Sequence, residues 1–343
     1  MSEQTAAAPQ ASEEPLCRGY DVALLDLDGV VYIGGLAVPG ASEALAKASG
    51  EGMRLAYVTN NASRTPAAVA QVLTGLGIPA EAQDVVTSAQ AAARLLSERL
   101  PAGAPVLVIG GMGLRVALRE RGLRPVSTAA GKPAAVVQGY APSVDYSALA
   151  QGGLAVMAGA LFVGTNADLT IPSAHGRAPG NGSLLQVIRT ATGREPVIAG
   201  KPEPPLHHES VIRTGARHPL VVGDRLDTDI EAAQRVGADS LLVLTGVTDA
   251  ADVVLAPPNQ RPSYVADDLA GLAEPQPAVA AGDDGFGCGG WTARWTEDNR
   301  VSLTGHGRRI DGLRALCAAA WSRDGVRGEA VQQALHTLDQ SAP

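Results

Sequence analysis

Short apolar runs alternate with helical segments through most of the chain, and three of the runs end on polar residues. These residues are Asp26, Thr59 and Asp224. Alternation of this kind is typical of a parallel β-sheet whose strands are joined by crossover helices. Ligands of such sheets bind just outside the carboxyl ends of the strands. The sequence therefore predicts an α/β fold with a polar site at one edge of its sheet.

The first run delivers two carboxylates one residue apart, Asp26 and Asp28, and Gly29 follows at once. Side chains two residues apart share a face of a strand, so both carboxylates point the same way. Like charges this close do not ionise independently. The pair suits chemistry that needs one ionised and one protonated acid, with a divalent cation on the ionised member. The alternative is a plain strand-to-turn junction, because Asp and Gly are common turn residues.

Composition limits the classes of partner. The 343 residues carry a formal charge of −8, which gives no indication of a nucleic-acid partner. No run approaches the roughly 18 apolar residues of a membrane span. The three cysteines lie far apart, lack metal-ligand spacing and are expected to be reduced thiols, which favours a cytoplasmic location. The glycines of 110–113 resemble a dinucleotide loop only weakly, since no acidic residue ends a following strand, and a strand-to-helix turn is the preferred interpretation.

Lysine occurs only at positions 47, 132 and 201, so a lysine inside a motif is unlikely to be there by chance. Lys201 opens a predicted helix, and the acids and the threonine end strands. Two acids, a distant third acid, a hydroxyl and a lysine at one sheet edge would bind a cation and an anion together. Hard oxygen ligands in small number suit Mg²⁺, which also bridges to phosphate.

The strand and helix signals divide the chain into a core, an insertion and a C-terminal unit. We predict a Rossmann-like parallel-sheet core with an inserted α/β cap domain and a small C-terminal α+β unit. The predicted boundaries are a disordered tail at 1–17, the core at 18–87 and 195–272, the cap at 88–194, a linker at 273–287 and the C-terminal unit at 288–343.

Four motifs resemble the signatures of haloacid dehalogenase superfamily phosphatases. They are Asp26-Leu-Asp28-Gly-Val, Thr59-Asn-Asn61, Gly200-Lys201-Pro-Glu-Pro and Gly223-Asp224-x4-Asp229. Gly164-Thr-Asn-Ala-Asp168 and Pro179-Gly-Asn-Gly182 are similar to the subclass with a large α/β cap. That subclass includes 4-nitrophenylphosphatase and the phosphoglycolate, pyridoxal-phosphate and glycerol-3-phosphate phosphatases. The resemblance covers about 20–272, and the layout with an extra C-terminal unit most resembles the glycerol-3-phosphate phosphatases of actinobacterial type.

The resemblance implies roles for the acidic residues. Asp26 would be the nucleophile that forms an aspartyl-phosphate. Asp28 would protonate the leaving alcohol and then deprotonate the attacking water. The metal ligands would be the carboxylates of Asp26 and Asp224 together with the backbone carbonyl of Asp28. Asp229 would support these ligands from behind.

The resemblance also implies how phosphate and substrate are held. Thr59, Asn60, Asn61 and Lys201 would hold the phosphoryl oxygens, and Lys201 would take part in catalysis. In the cap, the position that contacts substrate in relatives is Ile171 here, an apolar residue, so recognition of a charged ring is not expected. His175 and Arg177 lie nearby in sequence and are candidates to contact a polar leaving group; the alternative is that they are ordinary surface loop residues.

The C-terminal unit resembles a fragment of the N-acetyltransferase fold. It combines a tryptophan-containing hairpin with the segment Arg309-Ile-Asp-Gly312-Leu-Arg314 and two helices. The acetyl-coenzyme A loop of that fold needs a small residue where Arg314 stands, and about half of the fold is missing. We therefore expect a structural or homodimer-forming appendage that does not bind acetyl-coenzyme A.

The prediction for the whole chain is a Mg²⁺-dependent phosphomonoesterase acting on a small phosphorylated metabolite such as glycerol 3-phosphate. A phosphomutase on the same fold is one alternative, in which the phosphate returns to the substrate. A signalling receiver domain with Asp26 as a phosphoacceptor is another. A nicotinamide oxidoreductase is the least favoured, because the glycine pattern fails.

Overall fold

The computed structural model describes residues 8–173 and 176–340, which form two compact units. The first unit contains the residues up to Leu55 and those from Ala216 onward, and the second contains Ala56–Gly215. Each unit is built on parallel strands with helices between them, as the α/β fold class predicts. Within the described ranges, no helix has the length and apolar character needed to cross a bilayer.

The strands are short, as expected for an alternating α/β chain. In chain order they are β1 Val22–Leu25, β2 Tyr32–Ile33, β3 Leu36–Ala37, β4 Arg54–Thr59, β5 Val85–Thr87, β6 Pro105–Ile109, β7 Arg124–Val126, β8 Ala135–Gln138, β9 Leu161–Gly164, β10 Thr170–Ser173, β11 Gly176–Pro179, β12 Val197–Ile198, β13 Pro219–Gly223, β14 Asp239–Val243, β15 Tyr264–Ala266, β16 Ala280–Gly282, β17 Gly285–Cys288, β18 Trp291–Trp295 and β19 Val301–Gly305.

Most of the helices connect one strand to the next, whereas the first helix precedes all of the strands and the last two follow them. In chain order they are α1 Leu16–Gly19, α2 Ala41–Gly50, α3 Pro66–Gly75, α4 Ser88–Ser97, α5 Met112–Glu120, α6 Tyr146–Met157, α7 Asn181–Thr192, α8 Pro204–Thr214, α9 Glu231–Val236, α10 Ala250–Val254, α11 Arg309–Trp321 and α12 Gly328–Gln340. Two residues mark the start of helix α3: the Thr65 side chain accepts a hydrogen bond from the backbone N–H of Ala68, and Pro66 occupies the first helical position.

The first unit contains four parallel strands in the order β15-β14-β13-β1. Strand β1 is buried along its whole length, which explains its unbroken apolar sequence. Strands β1 and β13 are hydrogen-bonded neighbours although almost 200 residues separate them, with Leu25 opposite Val222. Because the pair is parallel, the residues that follow both strands lie at the same edge of the sheet.

The C-terminal segment belongs to the first unit. Strands β16 to β19 form an antiparallel sheet, and α11 and α12 follow it. One apolar cluster joins Leu242 and Val265 of the parallel sheet to Trp291 and Leu313 of the C-terminal segment. The indole N–H of Trp321 also donates to the carbonyl of Val253 at 3.2 Å. A shared core of this kind makes the segment a structural extension of the first unit.

Two expected flexible segments are ordered. Residues 8–17 of the predicted tail are held by backbone hydrogen bonds from Gln10 to Ser263 and from Ser12 to Gln276, and Leu16 is buried. Residues 280–287 of the predicted linker contain strand β16 and most of β17. The hydrogen bonds of the tail join it to residues more than 250 positions away, a long-range pairing that local composition does not reveal. Residues 1–7 lie outside the described ranges.

The second unit holds a five-stranded parallel sheet in the order β12-β9-β8-β6-β7, the parallel pair β4–β5 and the hairpin β10–β11. It therefore contains the predicted insertion together with flanking residues at both ends. A buried ion cluster joins these segments: Glu209 of α8 accepts hydrogen bonds from Arg94 of α4, Arg121 and Arg213. The predicted domain boundaries stay a prediction.

The glycines between β6 and α5 have a packing function. A Cβ atom on Gly111 would lie 2.6 Å from the carbonyl oxygen of Ser63, and one on Gly113 would lie 2.3 Å from that of Arg64. Only glycine permits this approach of helix α5 to the neighbouring backbone. The interpretation of 110–113 as a strand-to-helix turn therefore has a steric reason.

The three cysteines are buried and none forms a disulfide. Burial raises the pKa of the Cys288 thiol to about 11 and also raises the pKa of Cys17 and Cys317. All three are accordingly neutral thiols near neutral pH.

Candidate active site

The first unit brings three carboxylates together. One carboxylate oxygen from each of Asp26, Asp224 and Asp229 lies within 4.8 Å of the others. Asp26 follows β1 and Asp224 follows β13, so the pairing of these two strands delivers both side chains to one edge. The backbone N–H of Asp26 donates to the carbonyl of Val222 at 2.8 Å, which continues the ladder as far as the site.

Asp224 is buried and its carboxylate is enclosed by backbone. The N–H of Val247 donates to Oδ2 at 2.8 Å. A Cβ atom on Gly246 would lie 2.0 Å from Oδ2, and one on Gly29 would lie 2.4 Å from it. Gly29 also has a φ of +90°, a conformation that L side chains rarely adopt. Both glycines are therefore required for the position of the carboxylate.

Asp229 lies closer to the site than the sequence predicted. It belongs to a π-helical turn at Leu226–Ile230, and the backbone N–H of Arg225 donates to its Oδ2 at 3.2 Å. A Cβ atom on Gly223 would lie 2.2 Å from the Cβ of Asp229, so this close packing needs a glycine. The expected role was support from behind the ligands, whereas the structure includes the Asp229 carboxylate in the cluster itself.

Asp28 differs from these three acids in its surroundings. Its side chain is exposed, and the phenol of Tyr32 lies 3.5 Å from Oδ2. The carboxylate cluster found among the described residues does not include Asp28. The N–H of Gly29 donates to the carbonyl of Tyr32 at 2.9 Å and closes a tight turn directly after Asp28. An exposed carboxylate two residues after Asp26, and outside the cluster, is suited to proton transfer.

The donor set of the cluster fits a hard divalent cation. Three carboxylates supply only oxygen ligands, which Mg²⁺ and Ca²⁺ prefer. Two of the three are buried, so a cation is also the simplest means of offsetting their mutual repulsion. The glycines around Asp224 hold its carboxylate in one position without any ion.

The second unit holds the remaining predicted residues. Thr59 ends β4 and is 4% exposed, and its hydroxyl oxygen accepts the N–H of Asn61 at 3.0 Å. Lys201 is 7% exposed, and its ammonium donates to the carbonyl of Val58 at 3.4 Å. A threonine and a nearly buried lysine thus lie beside the same strand end.

The two asparagines make separate contacts. The side-chain oxygen of Asn61 accepts hydrogen bonds from the N–H and the hydroxyl of Ser63, at 2.8 and 2.7 Å. The side chain of Asn60 instead contacts the backbone of Lys201 at both its N–H and its carbonyl. The sequence predicted phosphate contacts for both residues.

The predicted cap contacts lie on the hairpin β10–β11. Ile171 is half-buried on β10 opposite Ala178, and Arg177 is exposed on β11. His175 lies outside the described residues. The assignment of these three residues to substrate binding stays a prediction.

Sequence reasoning missed the loop after β14. Thr245 donates its hydroxyl to the carbonyl of Gly29 at 2.6 Å, and Gly246 and Val247 enclose Asp224. The apolar run 241–244 ends on Thr245 and Gly246, the same pattern that identified the other strand ends. Applied once more, that pattern would have found the loop.

Comparison with known proteins identifies the family. Residues 23–124 match the haloacid dehalogenase-like hydrolase family, and residues 198–272 match a second family of the same hydrolases. The chain belongs to the haloacid dehalogenase-like hydrolases. Residues 288–339 match a GCN5-related N-acetyltransferase-like domain, which confirms the resemblance seen in the C-terminal unit.

Several characterised relatives are phosphatases. The chain is 48% identical to a D-glycerol 3-phosphate phosphatase of Mycobacterium tuberculosis over 257 residues, 75% of this chain and 72% of the relative. It is 41% identical to the 5′-nucleotidase YutF of Bacillus subtilis, over 67% of this chain and 88% of that protein. With these relatives and its family, the chain is a phosphoric monoester hydrolase.

A solved structure extends the likeness to the C-terminal segment. A glycerol phosphate phosphatase from Mycobacterium tuberculosis, crystallised in complex with magnesium, superposes with a TM-score of 0.86 at 40% identity. The match covers 95% of this chain and 99% of that one. The arrangement of parallel-sheet core and C-terminal antiparallel sheet is therefore common to both proteins.

Proposed function

We propose that this chain hydrolyses a small phosphorylated metabolite, with glycerol 3-phosphate as the preferred candidate, in a Mg²⁺-dependent reaction through an aspartyl-phosphate. The convergence of the Asp26, Asp224 and Asp229 carboxylates carries the proposal. The relative with magnesium bound and the relative named for D-glycerol 3-phosphate support the choice of metal and substrate.

The proposed metal ligands are Asp26, Asp224 and Asp229, with the backbone carbonyl of Asp28 as a further oxygen donor. When bound, Mg²⁺ would neutralise charge on the phosphoryl oxygens and keep the Asp26 carboxylate ionised. The chain itself contributes rigidity, because the backbone around Gly29 and Gly246 holds Asp224 in one position. Preformed ligands reduce the reorganisation that metal binding requires.

The proposed reaction has two displacements at phosphorus. A carboxylate oxygen of Asp26 attacks the phosphorus, the ester bond breaks, and Asp28 gives its proton to the leaving alcohol oxygen. A water molecule then loses a proton to Asp28 and attacks the same phosphorus, which releases inorganic phosphate and regenerates Asp26. Asp28 thus recovers from the attacking water the proton that it gave to the alcohol, and its exposed side chain is accessible to that water.

Charge on the transferred group needs donors as well as the metal. We assign this role to the hydroxyl of Thr59 and the ammonium of Lys201, the latter nearly buried and therefore less weakened by solvent. Asn61 stays a candidate through its side-chain amide N–H groups, since Ser63 contacts only its side-chain oxygen and its backbone N–H donates to Thr59. The cap residues Ile171, His175 and Arg177 are proposed to contact the leaving group.

The test is release of inorganic phosphate with and without Mg²⁺. The panel is glycerol 3-phosphate, a nucleoside 5′-monophosphate and a sugar phosphate, because relatives of this chain are named for each class. Glycerol 3-phosphate is expected to give the highest kcat/KM. Asp26→Asn is expected to abolish both turnover and acid-precipitable phosphoenzyme.

The matched control for Asp26→Asn is Asp227→Asn. Asp227 lies in the same turn as Asp229 but is exposed and pairs with Arg225 at 2.9 Å. Its variant is expected to keep phosphate release within about twofold of the unmodified protein, since exposed pairs contribute little. Turnover that survives Asp26→Asn would contradict the proposed nucleophile.

The same assay separates the alternatives. A phosphomutase would convert its substrate without releasing inorganic phosphate, and a receiver domain would take up one phosphate and stop.

The homodimer and the cytoplasmic location stay predictions that this assay does not address. Association of the C-terminal segment with the first unit favours a structural role for it, because both contribute to one core.

A further inference from the structure

The Asn60 side chain forms hydrogen bonds with both the backbone N–H and the backbone carbonyl of Lys201. Its Oδ1 accepts the Lys201 N–H at 2.8 Å, and its Nδ2 donates to the Lys201 carbonyl at 3.1 Å. The same Nδ2 donates to a carboxylate oxygen of Asp168 at 3.3 Å. A side-chain amide has two N–H donors, and both are used in these contacts.

Asn60 is itself fixed through its backbone carbonyl. That oxygen accepts the hydroxyl of Ser88 at 2.6 Å and the side-chain amide of Asn166 at 2.7 Å. The approach to Lys201 also depends on Gly200, where a Cβ atom would lie 2.5 Å from the Oδ1 of Asn60. Asn60 therefore connects the end of strand β4, the start of helix α4 at Ser88 and the segment that contains Lys201.

We propose that Asn60 is a positioning residue for Lys201 and that its side chain does not bind phosphate. Phosphoryl oxygens act as hydrogen-bond acceptors, and the Asn60 amide has no donor left to offer them. The proposal rests on the proposed function, in which Lys201 contacts the transferred phosphoryl group. It replaces the expected phosphate contact of Asn60.

The two hydrogen bonds between the Asn60 side chain and the Lys201 backbone, called the clamp from here on, are important because a lysine side chain is long and flexible. Four rotatable bonds separate the ammonium from the backbone, so the ammonium has a fixed position only where the backbone is fixed. Here the ammonium donates to the carbonyl of Val58, two residues before Asn60. Both ends of Lys201 are thus tied to the end of β4, next to Thr59. Displacement of a charged group by about 1 Å costs up to roughly 100-fold in rate.

A double-mutant cycle tests the coupling. Asn60→Ala is expected to lower kcat/KM by about 10- to 100-fold, and Lys201→Ala by at least as much. In the Lys201→Ala background, Asn60→Ala should add less than about twofold, because its effect operates through Lys201. An independent phosphate contact would instead retain its full effect in that background and would overturn the proposal, as would unchanged turnover in Asn60→Ala beside a crippled Lys201→Ala.

Ser210→Ala is the matched control. It removes a buried hydrogen bond, from the Ser210 hydroxyl to the carbonyl of Leu206 in helix α8, but no contact of Asn60 or Lys201, so kcat/KM is expected to stay within about twofold while the melting temperature falls. A loss of turnover in Ser210→Ala equal to that in Asn60→Ala would show that any weakening of this unit suffices, and the specific role of the clamp would be wrong.

A second measurement does not need turnover. The chain has lysines only at positions 47, 132 and 201, so selective ¹³C labelling of lysine gives three resolved sets of NMR signals. Lys201→Arg assigns one set by its disappearance. Asn60→Ala should shift and broaden the Lys201 signals and leave the other two unchanged. Unmoved Lys201 signals would overturn the clamp, whereas absent phosphate release with moved signals would overturn only the proposed function.

Discussion

The substitution Gly246→Ala should weaken metal binding although it replaces none of the proposed ligands. The new Cβ atom would lie 2.0 Å from Oδ2 and 2.5 Å from Cγ of Asp224. Carbon and oxygen in ordinary contact are separated by about 3.5 Å, so the carboxylate or the loop must move by more than about 1 Å. No positive φ is involved at Gly246, so the effect is purely steric.

The movement has two costs. The hydrogen bond from the N–H of Val247 to Oδ2 is lost or weakened, and a bond to a charged acceptor contributes about 1.5–3 kcal/mol. The whole Asp224 carboxylate also shifts relative to Asp26 and Asp229, and Mg²⁺ tolerates little deviation from ligand distances of about 2.1 Å. We expect Mg²⁺ affinity to fall by about 10- to 100-fold, the range for residues that orient metal ligands.

Isothermal titration with Mg²⁺ measures the effect, and phosphate release at rising Mg²⁺ concentration checks it. Gly282→Ala is the control, because no atom lies within 4 Å of its Cβ position and its backbone needs no left-handed conformation. That variant should bind Mg²⁺ like the unmodified protein. A folded Gly246→Ala variant with unchanged Mg²⁺ affinity would refute the role of Asp224 as a ligand.

Three further predictions concern the acid, the C-terminal segment and pH. Asp28→Asn should lower kcat by about 10²- to 10⁴-fold and leave Mg²⁺ affinity nearly unchanged, since its carboxylate lies outside the cluster. Arg314→Ala should lower the free energy of unfolding by about 3–5 kcal/mol in urea titrations, because it strands the buried partner Asp311 and frees the carbonyl of Val265. Burial lowers the pKa of His207 from 6.5 to about 4, so between these pH values only the unfolded chain binds a proton at this residue. The free energy of unfolding should therefore fall by about 3 kcal/mol as the pH drops from 6.5 to 4. The variant His207→Asn should not show this fall.

Each of these predictions has a result that would contradict it. Equal loss of turnover and Mg²⁺ affinity in Asp28→Asn would make that residue a ligand by its side chain. Arg300→Ala, at an exposed pair with Asp298, should cost less than about 1 kcal/mol, and a similar loss in Arg314→Ala would show that the C-terminal contact is dispensable. If the free energy of unfolding of His207→Asn fell with pH as steeply as that of the unmodified protein, the effect would belong to other groups.

The sequence by itself indicated the chemistry of the site. Polar residues at the ends of apolar runs identified Asp26, Asp28, Thr59 and Asp224, because strand direction and side-chain alternation are local properties. The resemblance of four motifs to known signatures also indicated the family, and Thr65 followed by Pro66 is a pair of residue types that favours a helix start. These inferences needed no knowledge of which strands are neighbours.

Only the tertiary structure decided which groups touch. Asp229 joins the carboxylate cluster because a π-helical turn and the missing side chain of Gly223 let it approach. The motif contains both residues, but it does not show the turn that packs one against the other. Asn60 contacts Lys201 across 141 positions of sequence, which converts an expected phosphate ligand into a clamp. Residues 8–17 are held by long-range hydrogen bonds to Ser263 and Gln276, and residues 280–288 pair in hairpins with neighbouring strands; the composition of neither segment favours this order. Local sequence sets which side chains a strand end presents, whereas packing across the fold sets which hydrogen-bonding atoms those side chains have left to use.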